Sequence, residues 1–75
     1  MAICYSCRNI RLGASGGGDT LIEALGAVEQ VAMMGLVSPA NEMLNGIIQQ
    51  ARAKGVCYSC ISDLQTLKSE LGRRL

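Results

Sequence analysis

Residues 56–67 read VCYSCISDLQTL, and residues 3–7 read ICYSC. The tetrapeptide Cys-Tyr-Ser-Cys thus occurs twice, each time after a β-branched residue, and it is the only internal repeat in the chain. Two cysteines separated by two residues can turn both sulfurs toward one point, with backbone N–H groups of the turn donating to the thiolates. Two such turns place four sulfurs tetrahedrally at about 2.3 Å from a zinc ion. Cys4, Cys7, Cys57 and Cys60 are therefore the candidate metal ligands. Zinc is preferred to iron because structural Cys₄ zinc sites are common. The interval 8–56 is longer than that of a typical zinc ribbon, so the chain between the pairs must itself bring them together.

Helix signals supply that topology. Thr20 and Glu23 have capping-box spacing, so a first helix begins at Asp19 or Thr20. Leu21, Leu25, Val28 and Ala32 form its apolar stripe, Ile22 and Met33 widen it, and Gly35 ends it. A second helix starts at Ser38 as cap with Pro39 in the first helical position. Its apolar face is Met43, Leu44, Ile47, Ile48 and Ala51, and Gly55 stops it, with Arg52 and Lys54 near the negative end of its dipole. Only Leu36 and Val37 join the two, which predicts an antiparallel hairpin. The second helix then returns the chain to the level at which the first began, and Cys57 and Cys60 emerge there. A third helix follows them, with Ser62 and Gln65 as capping box, Asp63 in the first turn, Leu64, Leu67, Leu71 and Leu75 along one side, and Arg73 and Arg74 in the last turn. Gly26 and Gly46 interrupt helices at a cost of about 1 kcal/mol each relative to Ala. They mark either close backbone contact between helices or tolerated flaws.

The expected fold is a small all-α domain, a single metal-stapled unit over residues 1–75. Residues 1–12 form a knuckle with Ile3, Ile10 and Leu12 on short strands, residues 13–18 a glycine-rich tether, and residues 19–75 three helices. The chain has 75 residues, no Phe and no Trp, and its only aromatics are Tyr5 and Tyr58. The core must come from Leu, Ile, Val, Met and Ala, which suits helices better than a sandwich. Met33, Met34 and Met43 read as core filler, and the tyrosines as shields over the metal cluster. A chain this short buries a small fraction of its surface and commonly needs a staple.

The formal charge is +1, and four thiolates on one divalent ion would bring it to −1. Neither value gives the basic field of a nucleic-acid binder. A zinc-knuckle nucleic-acid role is accordingly the second alternative. The faint helix-turn-helix likeness of residues 31–38 fails beyond the turn, where Glu42 and Asn45 stand at positions that should be apolar. No apolar run approaches the roughly 20 residues needed to cross a bilayer, and residues 1–11 lack a secretory pattern. The expectation is cytoplasmic, where paired cysteines read as metal ligands before disulfides.

There is no histidine, hence no Cys-His or Ser-His pair, and the six carboxylates read as caps or solvated faces. The run Gly13–Gly18 ends in Asp19-Thr20 rather than the Gly-Lys-Ser/Thr of a phosphate loop. A cysteine pair at a helix N-terminus can support thiol–disulfide chemistry, but the βαβ context is missing. The expectation is a non-enzymatic, intracellular zinc protein acting as a protein–protein interaction module or regulator. Its partner would be another protein or a second copy, without a membrane. One resemblance gives the first alternative. Gly55-Val56-Cys57-Tyr58-Ser59-Cys60 running into Asp63-Leu64-Gln65 resembles the second cysteine pair of bacterioferritin-associated-ferredoxin-like domains. That resemblance implies a [2Fe–2S] cluster on the same four cysteines and an electron-transfer role. The family's first pair usually reads C-x-C, whereas Cys4 and Cys7 stand two residues apart.

Overall fold

The computed structural model describes residues 3–12 and 20–73. The chain is all-α: α1 (Tyr5–Arg8), α2 (Leu21–Met33), α3 (Val37–Ala53) and α4 (Tyr58–Gly72). Among the described residues four helices replace the expected three, because the N-terminal knuckle is itself one helical turn. No named strand occurs among the described residues; the expected strands reduce to one antiparallel bridge between Arg11 and Thr20. The tether, Asp19, Arg74 and Leu75 lie outside the described residues.

α2 begins where its capping box predicts. Glu23 N–H donates to Thr20 Oγ1 at 3.3 Å, and Thr20 N–H donates to Glu23 Oε1 at 3.2 Å, which satisfies two of the N–H groups a helix start leaves open. α2 and α3 end alike. Gly35 has φ +85° and Gly55 φ +80°, a left-handed conformation that costs glycine little. Beyond them Leu36 N–H reaches Val31 O at 3.2 Å and Val56 N–H reaches Ala51 O at 3.0 Å, with Gly35 N–H to Ala32 O and Gly55 N–H to Arg52 O completing two Schellman motifs.

Two helix starts differ from expectation. α3 begins at Val37 with Leu36 as a side-chain-free cap, so Ser38 and Pro39 sit inside the first turn. Pro39 is tolerated there because its nitrogen precedes the first ladder donor, Ala40 N–H to Leu36 O. α4 begins at Tyr58 with Cys57 as cap, one turn before the predicted Ser62. Ser62 is an interior residue whose carbonyl accepts from Thr66 Oγ1.

α3 is the central helix. It packs against α2 on one side and α4 on the other, while α2 and α4 scarcely meet, and α1 packs on α2. The core joins Leu21, Leu25 and Val28 of α2 to Ala40, Leu44, Ile48 and Ala51 of α3 and Ile61, Leu64 and Leu71 of α4. Residues 3–12 close one end: Ile3, Cys7 and Leu12 are buried, and Leu21 N–H donates to Ile10 O at 2.9 Å. Three side chains assigned to apolar faces are exposed instead: Ile22, Met33 and Met43; so is Met34. The methionine reading is thus corrected. Met33 and Met34 lie in the last turn and cap of α2, beyond the reach of α3's buried row. At Gly26 and Gly46 an added Cβ would meet nothing within 4 Å, which removes close helix contact within the chain as their explanation.

Candidate metal centre

The two Cys-Tyr-Ser-Cys segments adopt the same local structure. Cys4 and Cys57 are N-cap residues with φ −62° in both cases and ψ 149° and 153°. Cys7 and Cys60 follow in the first turn, so each pair lies on one side of its helix start. The antiparallel α2–α3 hairpin delivers α4's start to the end of the molecule where residues 3–12 are packed. There the four sulfurs lie within 4.8 Å of one another. Cys4 Sγ is 3.3 Å from Cys57 Sγ and 3.4 Å from Cys60 Sγ, and Cys57 Sγ is 3.2 Å from Cys60 Sγ.

The hydrogen bonds relate the two segments reciprocally. Cys4 N–H donates to Cys60 Sγ at 3.2 Å, and Cys57 N–H donates to Cys7 Sγ at 3.5 Å. Each segment thus offers an amide to the inner sulfur of the other, an approximate two-fold arrangement. The outer sulfurs instead meet hydroxyls: Cys4 Sγ lies 3.5 Å from Ser6 Oγ and Cys57 Sγ 3.4 Å from Ser59 Oγ. Ser6 and Ser59 were missed as site residues, although their recurrence in the repeated tetrapeptide was a signal.

Inner and outer cysteines differ in burial. Cys7 and Cys60 are buried, Cys4 and Cys57 half-buried. Their acidities differ accordingly. The Ser59 hydroxyl, the Cys60 amide and neighbouring sulfurs bring the Cys57 thiol down to about 6. Burial, with the neighbouring sulfurs, pushes Cys60 up to about 12. Ser6 chiefly lowers Cys4. At Cys7 the Cys57 amide pulls downward, but the contact with Cys4 and burial outweigh it and the thiol is raised. A bound divalent ion would reverse the inner shift, since a coordinating thiol is deprotonated outright.

Four thiols without a carboxylate or imidazole form a soft donor set of the kind that binds Zn or Fe–S. The N–H donors on the inner sulfurs and the α4 N-terminus favour the negative charge that four thiolates carry. The cluster can hold a metal ion. Tyr5 and Tyr58 do not shield it: they are 81% and 85% exposed, since the residue after each N-cap points away from the sulfurs. Arg8 leans over the Tyr5 ring at 5.9 Å and donates to Ile3 O at 3.4 Å.

No protein-family model matches this chain, and no curated protein or solved structure matches it. These comparisons add no support to the resemblance of residues 55–65 to bacterioferritin-associated-ferredoxin-like domains. No helix of the described residues is long and apolar enough to cross a membrane.

Proposed function

We propose that Cys4, Cys7, Cys57 and Cys60 bind one Zn²⁺ and that the ion staples the N-terminal segment to α4, creating a small non-enzymatic module that acts through protein contact in the cytoplasm. The observation that carries this reading is the gathering of all four sulfurs within 4.8 Å, from opposite ends of the chain. Zinc–sulfur bonds of about 2.3 Å imply sulfur–sulfur edges of about 3.8 Å in a regular tetrahedron. Three of the observed spacings, 3.2 to 3.4 Å, lie somewhat below that value, and none of the six exceeds 4.8 Å. A [2Fe–2S] cluster would interpose two irons and two sulfides between the pairs and hold the sulfurs of opposite irons farther apart, so the spacing favours a single ion.

The ion's part is thermodynamic: binding to the folded chain and not to the unfolded one is folding free energy. The chain's part is to aim the sulfurs, through two N-caps, and to soften their charge, through two cross-donated amides. Contact with a protein is supported by Tyr5, Tyr58 and Arg8 standing exposed beside the site, residue types that dominate binding hot spots. A net charge near zero offers little to a nucleic acid.

Elemental analysis of the protein purified from cells, with its visible spectrum, tests the reading. One zinc per chain and no visible absorption are expected. Brown protein with two irons and two sulfides per chain would establish the electron-carrier alternative. Retention on single-stranded nucleic acid that falls with salt would change the partner class.

A further inference from the structure

The four sulfurs are not equivalent, and the repeat makes the inequality symmetric. Cys4 and Cys57, the N-caps of α1 and α4, are half-buried, whereas Cys7 and Cys60 are buried. Each inner sulfur accepts an amide of the opposite segment, Cys60 Sγ from Cys4 N–H and Cys7 Sγ from Cys57 N–H. Neither outer side chain makes a capping hydrogen bond to its helix. The two outer sulfurs lie 3.3 Å apart, although their residues stand 53 positions apart in the chain.

We propose that Cys4 and Cys57 form a peroxide-sensitive pair: oxidation joins them in a disulfide that expels the ion and takes over its task of fastening the N-terminal segment to α4. This regulation of the site rests on the zinc reading above. Distance alone does not choose the pair, because Cys57 Sγ and Cys4 Sγ lie 3.2 and 3.4 Å from Cys60 Sγ. Burial does. Zinc binds all four cysteines as thiolates, and among thiolates oxidation follows exposure, so peroxide reaches the half-buried sulfurs first. A bond to Cys60 would pull a side chain of 0% exposure out of the core and away from the Cys4 amide. A bond between the outer pair leaves both inner sulfurs where they are.

The chemistry takes two displacements. One outer thiolate attacks hydrogen peroxide: an S–O bond forms, the O–O bond breaks and hydroxide leaves. The other outer thiolate attacks that sulfur: the S–S bond forms, the S–O bond breaks and a second hydroxide leaves. Two electrons pass from the sulfur pair to one peroxide. Two of the four ligands are then gone, and the ion departs as Cys7 and Cys60 each take up a proton. A link across 53 positions constrains the unfolded chain far more than one across the three that separate Cys57 from Cys60. Cytosolic disulfides are characteristically transient and redox-sensing, and a thiol reductant reverses this one.

One molar equivalent of hydrogen peroxide, added to the zinc-loaded full-length protein, tests the proposal. Zinc per chain before treatment decides the metal reading, and the position of the bond is mapped whether or not the chain holds zinc. Trypsin cuts after Arg8, Lys54 and Lys68, so the expected bond joins peptides 1–8 and 55–68, and fragmentation should place it at Cys4 and Cys57. A chromogenic chelator should register one zinc released per disulfide formed. Alkylation after unfolding should label Cys7 and Cys60. The oxidised, zinc-free protein should melt about 20 °C above the reduced, zinc-free chain. Bonds mainly within a pair, Cys4–Cys7 or Cys57–Cys60, would overturn the proposal. So would zinc retained after cross-linking, or an oxidised protein that melts no higher than the reduced, zinc-free one.

Discussion

Replacing the cysteines one at a time by serine separates the inner from the outer positions. Every such variant removes one ligand of the proposed site, so to first order the lost metal bond would cancel when variants are compared. What remains differs by position. Cys57 is the N-cap of α4 and its side chain makes no capping hydrogen bond. Serine is a favoured cap, worth about 0.5–1 kcal/mol over a residue that does not cap, so Cys57→Ser recovers part of its loss. Cys60 is 0% exposed. A hydroxyl there is a buried polar group whose shorter C–O bond draws it back from the Cys4 amide that meets the sulfur at 3.2 Å, at a further cost of about 1–3 kcal/mol. The two variants should therefore differ by about 1.5–4 kcal/mol, with Cys60→Ser the weaker. Unfolding entropy of about 2.1 cal/mol/K per residue makes 1 kcal/mol equal to about 6 °C for a chain of this length. The expected gap is thus about 10–25 °C in thermal melts at saturating zinc. The repeat supplies an internal replicate: Cys4→Ser, at the cap of α1, should outlast Cys7→Ser. Equal melting of inner and outer variants, or the reverse order, would refute the placement of the sulfurs.

Other outcomes follow from single contacts. Gly46→Ala should raise the melting temperature by about 3–6 °C, since an exposed helical glycine costs about 0.5–1 kcal/mol and its Cβ would meet nothing. Gly55→Ala should lower it, because φ +80° strains any residue with a Cβ. Leu44, fully buried in α3, should lose about 2–5 kcal/mol on truncation to Ala, read from urea unfolding. The Glu23 carboxyl is held below the ordinary glutamate range by the Thr20 amide and hydroxyl, and less by Arg11. A folded-state pKa below the unfolded one stabilises the protein above the unfolded value, and the contribution fades as pH falls through the folded one. An NMR titration should show the low midpoint, and Thr20→Val should move it upward; no movement would remove the capping box as the cause.

The local elements were legible in the sequence because their causes are local. Thr20 with Glu23 starts α2, and Gly35 and Gly55 end α2 and α3, since caps and left-handed turns depend on a few adjacent residues. The repeated Cys-Tyr-Ser-Cys, with a short hairpin connection between two helices, was enough to bring both pairs to one end. The starts of α3 and α4 were not legible. Ser62 is a better cap than Cys57 by intrinsic preference, yet α4 begins at Cys57, where Cys60 and Ile61 can be buried only if the first turn is already helical. That gain comes from residues more than fifty positions away, which close over the turn from the N-terminal segment. The outward placement of both tyrosines and of Ile22 and Met33 was decided in the same way. A side chain's spacing tells which face of a helix it shares. Only the packing of α2 and α4 on the two sides of α3 determines which faces are covered and which stay exposed.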